Sequence, residues 1–105
     1  MIEKLFDLSG RVAIVTGGSR GLGAEFAEGL AEAGASLMIC ARRDDWLTPG
    51  LESLRDRGFT AEAMRCDVSN AADVQAVVDA TVKRFGKIDI LINNAACRGV
   101  SGRRR

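Results

Sequence analysis

No tyrosine and no histidine occur in these 105 residues, and proline occurs once. Without histidine, the commonest metal ligand and the usual general base near neutral pH are both missing, so no metal site is expected. The three cysteines, Cys40, Cys66 and Cys97, are odd in number and form no C-x-x-C pair. They read as reduced thiols. No apolar run approaches the roughly 20 residues of a membrane span. The first residues, Met1-Ile2-Glu3-Lys4-Leu5-Phe6-Asp7, lack the basic head and long apolar middle of a secretion signal. These absences predict a cytoplasmic protein with no membrane partner.

Basic charge is also scarce where it would matter. Residues 1–97 hold 11 basic against 14 acidic side chains, whereas the last eight residues hold four arginines and no acid. The part expected to fold therefore has no basic footprint for nucleic acid. An apolar content of 47% suits a globular chain. A length of 105 residues makes one domain, or part of one, with a modest core.

Strand-like and helix-like patterns alternate four times, which argues a parallel α/β sheet. The first strand is expected over 11–16, followed by a helix over 21–33 with Leu22, Phe26, Leu30 and Ala33 on its inner face. A second strand is expected over 36–41. The next helix carries Leu47, Leu51 and Leu54 and ends at Gly58, with its start left open because Pro49 suits a first turn. The third strand, 60–66, is less apolar, as an edge strand would be. Ser69 is the expected N-cap of a helix whose inner face is Val74, Val77, Val78, Thr81, Val82 and Phe85, closed by Gly86. The fourth strand, 88–93, is apolar at nearly every position and calls for cover on both faces. Right-handed crossovers then give strand order 3-2-1-4, the first half of a Rossmann-like doubly wound sheet with three helices.

Directly behind the apolar run Val12-Ala13-Ile14-Val15 stands Thr16-Gly17-Gly18-Ser19-Arg20-Gly21-Leu22-Gly23. Glycines between a strand and an amphipathic helix make a phosphate cradle. The turn is tight, the backbone can approach a ligand, and the freed N–H groups of the helix start face an anion. Gly17, Ser19, Arg20, Gly21, Leu22 and Gly23 are accordingly the candidate cofactor residues of the turn. A site for NAD commonly places an acid at the end of the second strand. Here that corner reads Cys40-Ala41-Arg42-Arg43, with no acid until Asp44. Arg42 and Arg43, with Arg20, suit a 2′-phosphate through their planar forks, so NADP is expected over NAD.

The spacing T-G-x-x-x-G-x-G, together with Asn93-Asn94-Ala95 downstream, resembles the short-chain dehydrogenase/reductase family over about residues 6–96. The lead-in Phe6-Asp7-Leu8-Ser9-Gly10-Arg11-Val12 looks like the gluconate 5-dehydrogenase and 3-oxoacyl reductase branches. The resemblance implies that Asp67 and Val68 hold the adenine, and that Asn93 and Ala95 lie in the family's N-N-A-G motif, which supports the central strand and borders the cofactor ribose. Ala96 replaces the glycine of that motif.

The family's catalytic serine, its Y-x-x-x-K pair and its later asparagine have no counterpart here. Ser101 precedes no tyrosine, and Lys83 and Lys87 flank a helix end, so no catalytic residue is assigned. Residues 1–96 are thus expected to be the N-terminal part of a Rossmann NADP-binding domain and 97–105 an irregular arginine-rich tail. The whole reads as a truncated NADP-dependent oxidoreductase, inactive alone. A small-molecule substrate is expected only in a complete form, and a family-type homo-oligomer is not expected. Two alternatives stay open: a non-catalytic NADP(H)-binding fragment or product of a broken gene, and a tail that contacts acidic partners.

Overall fold

A computed structural model describes residues 7–17 and 21–94. The elements run β1 (Val12–Thr16), α1 (Gly21–Glu32), β2 (Ser36–Ala41), α2 (Asp44–Asp56), β3 (Ala61–Arg65), α3 (Ala71–Phe85) and β4 (Ile90–Asn93). All strand pairs are parallel and the order is β3-β2-β1-β4, as the alternation of patterns predicts. The arginine-rich tail, 97–105, lies outside the described residues.

The period of two along the strands divides the core into two layers. Ala13, Val15, Leu37 and Ile39 face Ala27 and Ala31 of α1 and Leu47 and Leu54 of α2. Ile14, Met38 and Cys40 face Val77 of α3 on the other side. Leu37 and Ile39 are fully buried, and each such side chain contributes about 1.5–3 kcal/mol through burial. Every residue of β1 is buried, because, like β2, it has a neighbouring strand on each edge and helices over both faces.

Two helix faces differ from the pattern-based expectation. The inner stripe of α1 is Gly23, Ala27 and Ala31, with Leu30 half-buried against the core. Leu22 and Phe26 are 58% and 44% exposed. Small side chains let α1 lie close on β1, and that closeness, rather than the largest apolar residues, sets its rotation. On α3, Val77 and Thr81 are buried, while Val74 and Val82 are exposed. Thr81 can be buried because its hydroxyl donates to the Val77 carbonyl at 2.7 Å.

Helix ends bring further corrections. The N-cap of α3 is Asn70, not Ser69: its side-chain oxygen accepts from the N–H groups of Ala72 and Asp73. Gly86 closes that helix in the left-handed conformation. Pro49 lies inside α2 on its exposed side, so the apolar stripe through Leu47 and Leu54 is not interrupted. β4 begins at Ile90 rather than 88, and its alternate residues are exposed, Leu91 by 64%.

Asp89 fastens the start of β4 to β1. Its carboxylate accepts from the Val12 N–H at 2.9 Å, while its own N–H donates to the Val12 carbonyl. Lys87 and Arg11 stand 3.2 and 3.5 Å from its oxygens. The Val12 bond first, then Lys87 and Arg11, hold this carboxyl below its ordinary value. A carboxyl depressed in the folded state stabilises the fold above its unfolded value of about 4 and loses that contribution as pH falls through the lower folded value. Asp89→Asn should therefore be less stable than the parent at pH 7, with the gap closing on acidification below pH 4. Urea unfolding from pH 7 to 2.5 checks this; a constant gap would refute it.

Candidate functional site at the strand ends

β1 and β4 are adjacent in the sheet but not consecutive in the chain: β1 leads away through α1 to β2 on its other edge, and β4 is reached from β3 at the far edge. The strand order therefore reverses between β1 and β4, and a ligand crevice belongs at their C-terminal ends. The chain folds sharply there. Gly17 takes a positive φ of 71°, Gly21 one of 56°, and the Gly17 N–H donates to the Cys40 carbonyl at 2.7 Å. A Cβ at Gly23 would run into the Gly17 carbonyl oxygen and come within 2.7 Å of Asn94 Nδ2. At Gly21 a Cβ would meet nothing within 4 Å. Gly23 thus serves the helix–strand contact, and Gly21 serves the turn's conformation beside open space. The close approach at Gly23 and the open space beside Gly21 leave room for a phosphate group and are compatible with a dinucleotide. Leu22 is exposed on the first turn of α1. Ser19 and Arg20 of the turn, and Ala95 beyond β4, lie outside the described residues.

Thr16 organises the crevice, a role that pattern reading does not reveal. Its hydroxyl donates to Asn93 Oδ1 at 2.9 Å and accepts from the Asn94 N–H at 3.0 Å. The side chain of Asn93 is thereby turned toward β1, and Asn94 is held over the glycine turn. A threonine closing a buried strand, just before the glycines, was the available signal for this residue.

The second corner lies at the ends of β2 and β3. Arg42 is exposed, and its positive charge helps hold the Asp67 carboxyl below the usual range, after the larger effect of hydrogen bonds from Ser69. Those bonds come from the Ser69 N–H at 2.9 Å and hydroxyl at 2.6 Å, which is where Ser69 spends its side chain instead of capping α3. Arg43 sits differently from Arg42. It is the N-cap of α2, makes a two-pronged pair with Asp45 at 3.1 and 3.0 Å, and stacks 5.3 Å from the Trp46 ring centre. Val68 is half-buried against the α3 side of the sheet, where it lines an apolar cavity of about 110 Å3 with Cys40, Cys66 and Leu91.

The structure thus gathers Gly17, Gly21, Gly23, Asn93 and Asn94 at one corner and Arg42 with Asp67 at the neighbouring one. Burial pushes the Cys40 thiol up to about 12, with Cys66 adding to it; burial, then Asp73 and Asp67, raise Cys66 as well. Both thiols are neutral at pH 7 and unsuited to nucleophilic work. Among the described residues, no group of three or more His, Cys, Asp or Glu side chains could hold a metal ion. No described helix is long and apolar enough to cross a membrane.

Comparison with known proteins adds lineage to this geometry. The family described as short chain dehydrogenase matches residues 11–104. The chain is 43% identical over 96 residues to 11-beta-hydroxysteroid dehydrogenase A of Sesamum indicum, covering 90% of this chain and 28% of that protein. A variant of the actinorhodin polyketide ketoreductase, solved with NADPH, superposes with a TM-score of 0.80 at 40% identity, over 82% of this chain and 33% of the other. A short chain dehydrogenase/reductase from Burkholderia phymatum, solved with NAD, gives 0.78 at 38% identity, over 81% and 30%. The chain spans about a third of the length of the curated relatives it matches.

The Thr16 hydroxyl is the clearest single test of how the crevice is built. Thr16→Val keeps the shape but leaves Asn93 Oδ1 without that donor and the Asn94 N–H without that acceptor. Loss of about 1–3 kcal/mol of stability is expected, read by urea denaturation; an unchanged midpoint would show that Thr16 does not tie β1 to β4.

Proposed function

The chain belongs to the short chain dehydrogenase family, and on that footing we propose that its strand-end crevice binds NADP as the cofactor of an oxidoreductase. Gly17, Gly21 and Gly23, with Ser19 and Leu22, would cradle the pyrophosphate; Arg20 would stand on the ribose side with Arg42; Asn93 and Ala95 would border the ribose, and Asp67 with Val68 the adenine. When bound, the nicotinamide supplies or accepts a hydride. The chain's own residues position the dinucleotide and set which one is preferred.

The observation that carries the reading is the unequal use of the two arginines. Similar structures carry either NADPH or NAD, so the preference must come from this chain. Arg43 is committed to Asp45. Arg42 is exposed at the end of β2, where a site for NAD would commonly carry an acid. A fork that is accessible there suits a 2′-phosphate, and Arg42 is the residue that discriminates. Catalysis is a separate matter. The family's acid–base tyrosine has no counterpart among these 105 residues, which hold neither tyrosine nor histidine. Binding without turnover is the expected behaviour of the chain by itself.

Arg42→Ala should weaken NADPH about 10- to 100-fold, since a charge-assisted hydrogen bond is worth roughly 1.5–3 kcal/mol, and should scarcely alter NADH. Arg43→Ala should cost less. Fluorescence titration with both cofactors decides: equal losses for the two would remove the 2′-phosphate from Arg42. The purified chain should bind NADPH yet oxidise none in the presence of a panel of ketones and sugar acids, and turnover of any of them would overturn the non-catalytic reading.

A further inference from the structure

β3 ends the sheet, so half of its backbone groups point away from β2. Leu37 donates to the Thr60 carbonyl and Cys66 donates to Ala41, with Leu37 opposite Ala61 and Ala41 opposite Arg65. Hydrogen-bonding groups alternate along a parallel strand. Thr60, Glu62, Met64 and Cys66 therefore turn theirs toward β2, and Ala61, Ala63 and Arg65 turn theirs outward. Such an edge is a template on which another chain can add a strand. A groove of about 360 Å3 runs beside it, lined by Leu47 and Leu51 of α2 and by Ala63, Met64 and Arg65. It offers room for the side chains of an added strand.

Arg55, in the last turn of α2, lines the same groove. Its Nε donates to the outward Ala61 carbonyl at 3.1 Å, and its Nη2 donates to Glu62 Oε1 at 3.0 Å. The second Glu62 oxygen accepts from Nε of Arg84, in the last turn of α3, at 3.0 Å. Since α2 and α3 cover opposite faces of the sheet, the two arginines reach one carboxylate from either side and span the strand's outer edge. Exposed ion pairs of this kind add little stability, so their effect lies in what they obstruct.

We infer that the Arg55–Glu62–Arg84 strap guards the edge of β3 against strand addition. The Ala61 carbonyl, which an incoming strand needs for its first rung, is already taken by Arg55. A newcomer would also have to displace three charges held across its path. The chain that the guard keeps out is an extended segment like β3 itself, with apolar and charged residues interspersed.

A fluorescein-labelled peptide copying residues 59–65 is the probe, titrated by fluorescence anisotropy into the parent chain, Arg55→Met and Glu62→Gln. Methionine keeps the aliphatic stem and removes the donors. Arg55→Met should bind the peptide at least tenfold more tightly than the parent, with slowed amide hydrogen exchange at Ala63 and Arg65, and Glu62→Gln should fall between them. Equal binding to the parent and Arg55→Met would overturn the inference, as would an equal gain with a scrambled peptide or protection at residues other than those of β3. Should Arg55→Met fail to fold by circular dichroism, Glu62→Gln decides alone, and binding no tighter than the parent's would overturn the guard.

Discussion

The closeness of α1 to the end of β1 governs the rest of the structure. No atom fits where a Cβ of residue 23 would stand, because the Gly17 carbonyl is already there. That approach turns the small stripe of Gly23, Ala27 and Ala31 toward the sheet, over Ala13 and Val15, which have no exposed surface. It also brings the first turn of α1 up to the strand ends. The unpaired N–H groups and the positive end of the helix dipole then face one crevice. A bulkier contact would push the helix outward, enlarging the core while spoiling the cradle.

Much of this was legible in the residues themselves. The alternation of patterns predicted the parallel sheet and its order, because each segment's period matches the element it forms. Gly34, Gly58 and Gly86 marked helix ends, and all three adopt positive φ. What could not be read was rotation. The pattern over 21–33 fits a face through Leu22 and Phe26 as well as one through Gly23 and Ala27, and only the approach to Gly17 chooses between them. Asn70 prevailed over Ser69 because Asp67 captures Ser69 first. Both residues suit an N-cap, and their neighbours decide which is used.

The same holds at the candidate site. Arg42 and Arg43 look equivalent in a chain of letters, yet adjacent residues near a strand end point to different neighbours. One meets Asp45 and Trp46 within its own helix start, and the other stays open beside Asp67. Thr16 escaped notice for a related reason: as a β-branched residue ending a strand it needs no further explanation, and its hydroxyl acquires a purpose only when β4 arrives from 77 residues away. Long-range pairing of that sort leaves only a faint local trace, a threonine closing a buried strand.

Parallel strands have a geometric corollary. Every strand points the same way, so the turns entering the strands, at 33–35, 57–60 and 86–89, all lie at the end remote from the crevice. Gly58 and Gly86 in those turns have no neighbour within 4 Å of where a side chain would begin. Of the three, the 57–60 turn is the place where the polypeptide can change length without disturbing the glycine turn or the Arg42 corner, because Gly34 is crowded by Ser9 and Asp89 holds β4 to β1. Room for a change in length thus lies at the pole remote from the crevice, while the opposite pole keeps its atoms in place.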